Sequence, residues 1–219
     1  MTMPQEDTAA TRAFRALAHA DTSVRLQAAL AVGSTPDPGF VGGLVERCAV
    51  EPEFYVREML TWALTRHAPS ATVPALVGEL RSDRAQARSQ ALHTLSKIGD
   101  RGAWPAITPD LLADADDEVA RAAWRTAAAL APDGERAALA VRLARQFGRG
   151  GRETQLSLSR ALIALGEAMP AALEAATTAP DPRVRAHALA TERLWHDPEA
   201  GFEFAVEEAK RVVALGGEG

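Results

Sequence analysis

A single cysteine stands in these 219 residues, at position 48 in the apolar context VERCAV. One cysteine excludes a disulfide framework within the chain. The reducing cytoplasm is the expected compartment, and a buried, inert thiol the expected role. Aromatic residues make up only 5% of the chain, although hydrophobic residues make up 47%. The apolar content is therefore Ala, Leu and Val, small side chains that let helices approach closely. No apolar run approaches the roughly 20 residues a spanning helix needs, so no membrane is expected. The opening MTMPQEDTAATR lacks a basic stretch followed by an apolar one, and no secretory signal is expected. Positive charge is scarce too: 24 Lys and Arg face 29 Asp and Glu, a formal net charge of −5. That argues against a surface made for phosphate backbones, and nucleic acid is not an expected partner. The period-two alternation of a half-buried strand is missing as well.

What the chain has instead is a repeat. DTSVRLQAALAVG at 21–33 returns as DPRVRAHALATERL at 181–194, and aligning on this motif gives six copies. Their first key positions are Val24, Val56, Ala87, Val119, Thr154 and Val184, at intervals of 32, 31, 32, 35 and 30 residues. A period near 32 held along the chain marks stacked supersecondary units. Each unit holds two helical stretches. In the third copy, Val73, Leu76, Val77 and Leu80 share one helical face, and Ala87, Ala91, Leu92, Leu95 and Ile98 share another. Gly33, Gly99 and Gly166 stand at equivalent helix ends, where a left-handed glycine would stop the helix. Pro74, Pro105 and Pro170 are expected in first turns. Most second helices open with a carboxylate and an arginine four residues on: Asp21 and Arg25, Glu53 and Arg57, Asp117 and Arg121, Asp181 and Arg185. The third copy shifts to Asp83 and Arg88, and the fifth lacks the pair. The carboxylate is expected to cap the helix, and the arginine to pair with it or to reach the next repeat.

Paired helices with the pattern D-x-x-V-R-x-x-A-x-x-A-L-G resemble HEAT repeats of the short, Ala-rich bacterial kind, over roughly residues 8–194. The resemblance implies an all-α, right-handed α-solenoid of about six helical hairpins, with a concave face formed by the second helices; it implies no reaction. Repeats are expected near 8–34, 38–67, 70–99, 102–131, 133–166 and 168–195, in one domain spanning 1–219. An opening helix near 5–19 should turn Thr8, Arg12 and Arg15 to water and Phe14 and Leu17 inward. A C-terminal cap helix is expected near 198–214, with Phe202, Ala205, Val206, Ala209, Val212 and Val213 as its apolar stripe and Glu207, Glu208, Lys210 and Arg211 as its wet side. The GGEG tail should fray.

Motifs for chemistry are sparse. Phosphate loops, dinucleotide fingerprints, zinc-protease and nucleophile-elbow motifs are all missing. GRGGRE at 148–153 is read as an inter-helix loop in preference to a phosphate cradle. His187 and His196 lack metal-ligand spacing, and ADADDEV at 113–119 reads as a helix start rather than a calcium loop; no cofactor is expected. Helical phase supplies the candidate site instead. Counting from the key residue of each copy, position six should face the groove: Leu30, Trp62, His93, Arg125, Arg160 and Ala190. Position ten adds Arg66 and Lys97, and Trp124 lies one step before Arg125. The candidate binding set is Trp62, Arg66, His93, Lys97, Trp124, Arg125 and Arg160, an aromatic and cationic surface suited to an anionic or aromatic partner. The bland alternative is that Trp62 and Trp124 fill gaps between repeats, as Trp104 and Trp195 are expected to do.

The expected function is a non-enzymatic scaffold that binds a protein, peptide or small molecule in this groove. The sequence also resembles actinobacterial HEAT-repeat proteins, some following a MerR-type DNA-binding segment, which implies a ligand-sensing alternative. A further alternative is a HEAT-like alkylpurine DNA glycosylase, with Asp116 and Asp117 close before Trp124. A bilin lyase-type role lacks the second cysteine it would call for.

Overall fold

The computed structural model describes residues 8–198 and 201–215, and among them no strand occurs. The expectations for residues 5–7, 199–200, Glu208 and the GGEG tail lie outside the described residues. The chain divides into two compact units, one ending at Ala106 and one beginning at Ile107.

The first unit holds three helical hairpins: α1 (Ala9–Ala16) with α2 (Thr22–Ser34), α3 (Val41–Val50) with α4 (Phe54–Thr65), and α5 (Pro69–Glu79) with α6 (Ala85–Ile98). The second helices form one layer, α2 lying along α4 and α4 along α6, while α3 packs on α5 within the other layer and on α6 across the two. Leu44, Leu60, Leu64, Leu76, Leu92 and Leu95 are buried between the layers, each worth about 1.5–3 kcal/mol of transfer free energy. At the open end, Phe14 stacks on Phe40, ring centroids 4.6 Å apart, and Leu17 is buried.

The second unit continues with α7 (Pro109–Leu112), α8 (Asp117–Leu130), α9 (Arg136–Ala144), α10 (Arg152–Ile163), α11 (Met169–Thr177), α12 (Pro182–His196) and α13 (Phe202–Leu215). Again α8 lies along α10 and α10 along α12; α9 packs on α11, and α13 closes the unit against α12. In the fourth repeat the first helix is reduced to a 3-10 stretch, Arg101–Ala106, and the single turn of α7.

The motif residues do different work from one another. Asp21, Asp116 and Asp181 cap α2, α8 and α12 by accepting backbone N–H groups. The arginines mostly reach backward rather than pairing with the cap. Arg25 Nη1 donates to the carbonyls of His19 and Ala20, Arg57 Nη1 to those of Glu51 and Pro52, and Arg185 Nη1 to those of Ala179 and Pro180. Arg88 does the same to Ser82. These carbonyls belong to the turn between the two helices of one repeat, and a planar cation satisfies two at once. The exception is Arg121, which pairs with Glu118 at 2.8 Å.

Three local expectations are corrected. Gly33 lies inside α2 with ordinary helical backbone, whereas Gly99 and Gly166 do have positive φ, 73° and 62°. Gly33 is needed for a different reason: a Cβ there would stand 2.4 Å from the Trp62 ring. Pro74 sits within α5 because that helix already starts at Pro69; the carbonyl left over is at exposed Ser70, open to water. The cap helix begins at Phe202, and Val212 is 55% exposed, outside the buried stripe of Phe202, Ala205 and Ala209.

Candidate functional site

Phase places positions two, six and ten of each second helix on the side away from the first-helix layer. In the first unit these are Leu26, Leu30 and Ser34 on α2, Glu58, Trp62 and Arg66 on or at the end of α4, and Ser89, His93 and Lys97 on α6. The packing of α4 on α6 brings Glu58 Oε1 within 3.1 Å of His93 Nε2. Just beneath, Thr61 and Thr94 share a hydroxyl contact of 3.3 Å. Trp62, one turn beyond Glu58, is half-buried with its ring against Gly33 of α2. Arg66 and Lys97 are exposed in the last turns, and Leu30 and Tyr55 stand out at 41% and 75% exposure. The structure thus assembles Trp62, Arg66, His93 and Lys97 on one face of the first unit. Glu58 completes it and went unnoticed in the sequence, although its spacing of four from Trp62 marks the same helical face.

In the second unit the tryptophan departs from expectation. Trp124 is fully buried, and its indole Nε1 donates to the Leu112 carbonyl at 2.8 Å. The short α7 leaves both a volume to fill and a carbonyl to satisfy at its C-terminus, and one indole does both. Trp124 is therefore a packing residue and not part of an accessible surface. Arg125, one residue on, is exposed. Arg160 is also exposed and borders a groove of about 550 Å³ together with Leu156, Ile163, Leu194 and Trp195.

Position six of α12 is different again. Ala190 is fully buried, as part of a cluster with Ala186, Phe202, Ala205 and Ala209. Leu156, Leu189 and Leu194 pack against that cluster. The helix α13 thus lies across positions two, six and ten of α12 and position two of α10.

Other polar groups singled out in the sequence serve the scaffold. The GRGGRE loop is pinned by Arg149, which bonds Asp117 Oδ1 through Nε at 2.9 Å and also the Asp114 carbonyl. Thr154 Oγ1 donates to Asp117 Oδ2 at 3.1 Å. Asp116 is a cap and Asp117 an ion-pair partner, so both carboxylates are engaged within the repeat stack. His187 is buried: its Nδ1 accepts from the Gly148 N–H at 3.1 Å, and Nε2 lies 3.0 Å from the Gln155 carbonyl. Burial pushes its pKa down to about 4, against the opposing pull of that carbonyl. Burial pushes the Cys48 thiol up to about 12, which makes it unreactive. Among the described residues, no three His, Cys, Asp or Glu side chains group closely enough to hold a metal ion, and no single helix is long and apolar enough to cross a membrane.

Comparison with known proteins finds the sequence pattern of HEAT repeats over residues 41–131. No curated protein matches the sequence. Among solved structures, the chain is similar to the karyopherin Kap121p bound to the extreme C-terminus of the protein phosphatase Cdc14p, with a TM-score of 0.60 at 18% identity over 94% of this chain. It spans only 25% of that karyopherin's length. It is also similar to human deoxyhypusine hydroxylase in complex with glycerol, with a TM-score of 0.48 at 16% identity over 94% of both chains. The CpcE and CpcF complex of phycocyanin lyase from Nostoc sp. PCC7120 gives a TM-score of 0.41 at 18% identity over 97% of both chains. The karyopherin likeness shows the fold alone, an α-solenoid of helical hairpins. The matched stretch runs from α3 to the end of α8 and includes Arg57 and Arg88, two of the arginines that close their repeats' turns; over that stretch the chain carries the HEAT-repeat pattern.

Proposed function

We propose that the chain is a non-enzymatic binding module whose face on α2, α4 and α6 takes an amphipathic helix from a partner protein. The observation that carries this is α13. On α12 the equivalent positions are already covered by an amphipathic helix, which sets Phe202, Ala205 and Ala209 onto Ala186 and Ala190. The same positions in the first unit carry larger and more polar groups. Trp62 and Leu30 offer apolar area for an anchor residue. Arg66 and Lys97 lie along one edge, and they favour a helix with carboxylates on that flank. Glu58 and His93, set back toward the starts of the two helices, lie close together on the same face, Oε1 and Nε2 3.1 Å apart. The karyopherin's own complex, with the C-terminus of a phosphatase, supports a peptide as the kind of ligand such a scaffold holds.

The glycosylase alternative loses its support. Asp116 and Asp117 are engaged structurally, Trp124 is buried, and Arg25, Arg57, Arg88 and Arg185 are directed at backbone carbonyls. Ligand sensing of the MerR-linked kind belongs to small molecules, and the groove beside Arg160 and Trp195 is one place in the second unit with room for one.

The test uses full-length protein and an array of fluorescent 15-residue amphipathic helical peptides with acidic flanks. The best binders should lose about tenfold in affinity with Trp62→Ala and with Arg66→Glu/Lys97→Glu, and nothing with Arg160→Ala. Binders that treat parent and first-unit variants alike would overturn the proposal.

A further inference from the structure

We propose a second binding site, for a small amphiphilic anion, in the cleft between the N-terminal half of α12 and the C-terminal half of α13. The cleft has a volume of about 440 Å³, within the range of small-molecule sites. Its walls are aliphatic where the two helices diverge, with Ala186 on one side and Val206 and Val213 on the other. His187 lies at its base with both ring nitrogens engaged by protein partners. Burial keeps that imidazole neutral, so the floor carries no charge.

The rim is cationic. Arg183, Arg185 and Lys210 line the cleft, and no carboxylate does so among its described lining residues. That is a local excess in a chain of net charge −5. Each cation keeps donor capacity after its internal bonds. Arg185 uses Nη1 on the carbonyls of Ala179 and Pro180. Arg183 uses Nη2 on the Gly148 carbonyl at 3.2 Å. Lys210 uses Nζ on Glu207 at 2.8 Å. A guanidinium has five N–H donors and an ammonium three. Donors are left over around an aliphatic slot, and the ligand that satisfies both is an aliphatic tail ending in a single carboxylate. The occupant is a free, medium-chain fatty carboxylate, not a membrane.

Isothermal titration of the full chain with sodium decanoate, below its micellar concentration, tests this. Decanoate should bind saturably, more weakly at high salt. Decyltrimethylammonium and octyl glucoside, with like tails and no negative charge, should not. Arg183→Glu and Lys210→Glu, both at exposed positions, should each weaken decanoate about tenfold. Val213→Trp should fill the slot and abolish binding. Trp62→Ala should leave it unchanged, so failure here is separable from failure of the peptide face. Absent binding, equal binding of the three amphiphiles, or indifference to both charge reversals would overturn the site. So would cosedimentation with phosphatidylglycerol vesicles in place of decanoate binding.

Discussion

Arg25 of the first repeat grips Glu51 of the second through two charge-assisted hydrogen bonds, Nε to Oε2 at 2.9 Å and Nη2 to Oε1 at 2.8 Å. Arg47 reaches the same carboxylate from one turn away, and the Glu53 N–H adds a bond at 3.0 Å. Glu51 is wholly buried. Burial alone would raise its pKa, but the two arginines and the N–H outweigh it and hold the carboxyl at about 2. Glu51→Gln leaves two guanidinium groups facing a neutral amide inside the seam between repeats. A loss of about 3–5 kcal/mol is expected, measured by urea unfolding at pH 7. Because the folded value lies below the ordinary 4.5, the parent's stabilisation is present above pH 4.5 and drains away as pH falls toward 2. The variant should lack this acid-dependent component. A flat difference between the two proteins from pH 5 to 2.5 would sink the assignment.

His187 titrates in a different window. Its folded pKa of about 4 lies below the ordinary 6.5, so between those values the unfolded chain binds the proton and the native state does not. Its contribution, about 3 kcal/mol in all, is therefore complete above pH 6.5 and lost as pH falls through that window. The bond from the Gly148 N–H makes Nδ1 the bare nitrogen and Nε2 the protonated one. Nitrogen-15 NMR should show that tautomer persisting at pH 5. A His187 resonance that shifts with a midpoint near 6.5 contradicts the buried network.

The repeat, its period and its two-helix unit were legible because each rests on spacing: Val56, Ala87 and Val119 recur where the core needs small or β-branched groups. Of the carboxylates expected to cap, Asp21 and Asp181 do so, but Asp116 caps α8 in place of Asp117, and neither Glu53 nor Asp83 caps its helix, because the chain enters α4 and α6 without a side-chain cap bond. The arginines were half legible. Their positions were plain, but what they bond is a turn five and six residues back, and no helical-face rule points there. Position six was legible as a direction, and Trp62 and His93 lie on the face it indicates. Trp124 fails because the fourth repeat shortens its first helix to α7, and an insertion of empty volume is invisible in a phase count. Gly33 misled similarly: a glycine near a helix end looks like a stop, and only the neighbouring Trp62 ring reveals that its missing Cβ is what matters.

Arg149 and Asp117 tie the loop before α10 to the first turn of α8. Nε and Nη2 of Arg149 lie 2.9 Å and 2.8 Å from Asp117 Oδ1, and the guanidinium sits 5.8 Å from the Trp124 ring centroid. Gly150, with φ of 64°, allows the loop in: a Cβ there would be 2.7 Å from Asp117 Oδ2. Arg149→Leu and Asp117→Asn should each cost about 1–3 kcal/mol in thermal unfolding. The double variant should fall short of the sum by at least about 0.5 kcal/mol, since both remove one interaction. Full additivity would mean the two residues act apart.

Two glycine-to-alanine changes in helices should have opposite signs. Gly78 lies in α5 with nothing within 4 Å of an added Cβ. Alanine there should stabilise by up to about 1 kcal/mol, the ordinary gain of replacing glycine within a helix. Gly33 lies in α2 with the same propensity gain available. Its added Cβ, however, would meet the Trp62 ring at 2.4 Å and the Ala63 Cα at 2.9 Å. The ring can swing, but the Cα belongs to the backbone of α4, so the two helices must separate. Overpacking of that kind costs about 1–3 kcal/mol and exceeds the propensity gain. Gly33→Ala should lower the melting temperature and shift tryptophan emission to the red as Trp62 is lifted toward water, while Gly78→Ala raises the one and leaves the other alone. If both variants stabilise alike, Trp62 does not rest on Gly33, and the close approach of α2 to α4 is not as described.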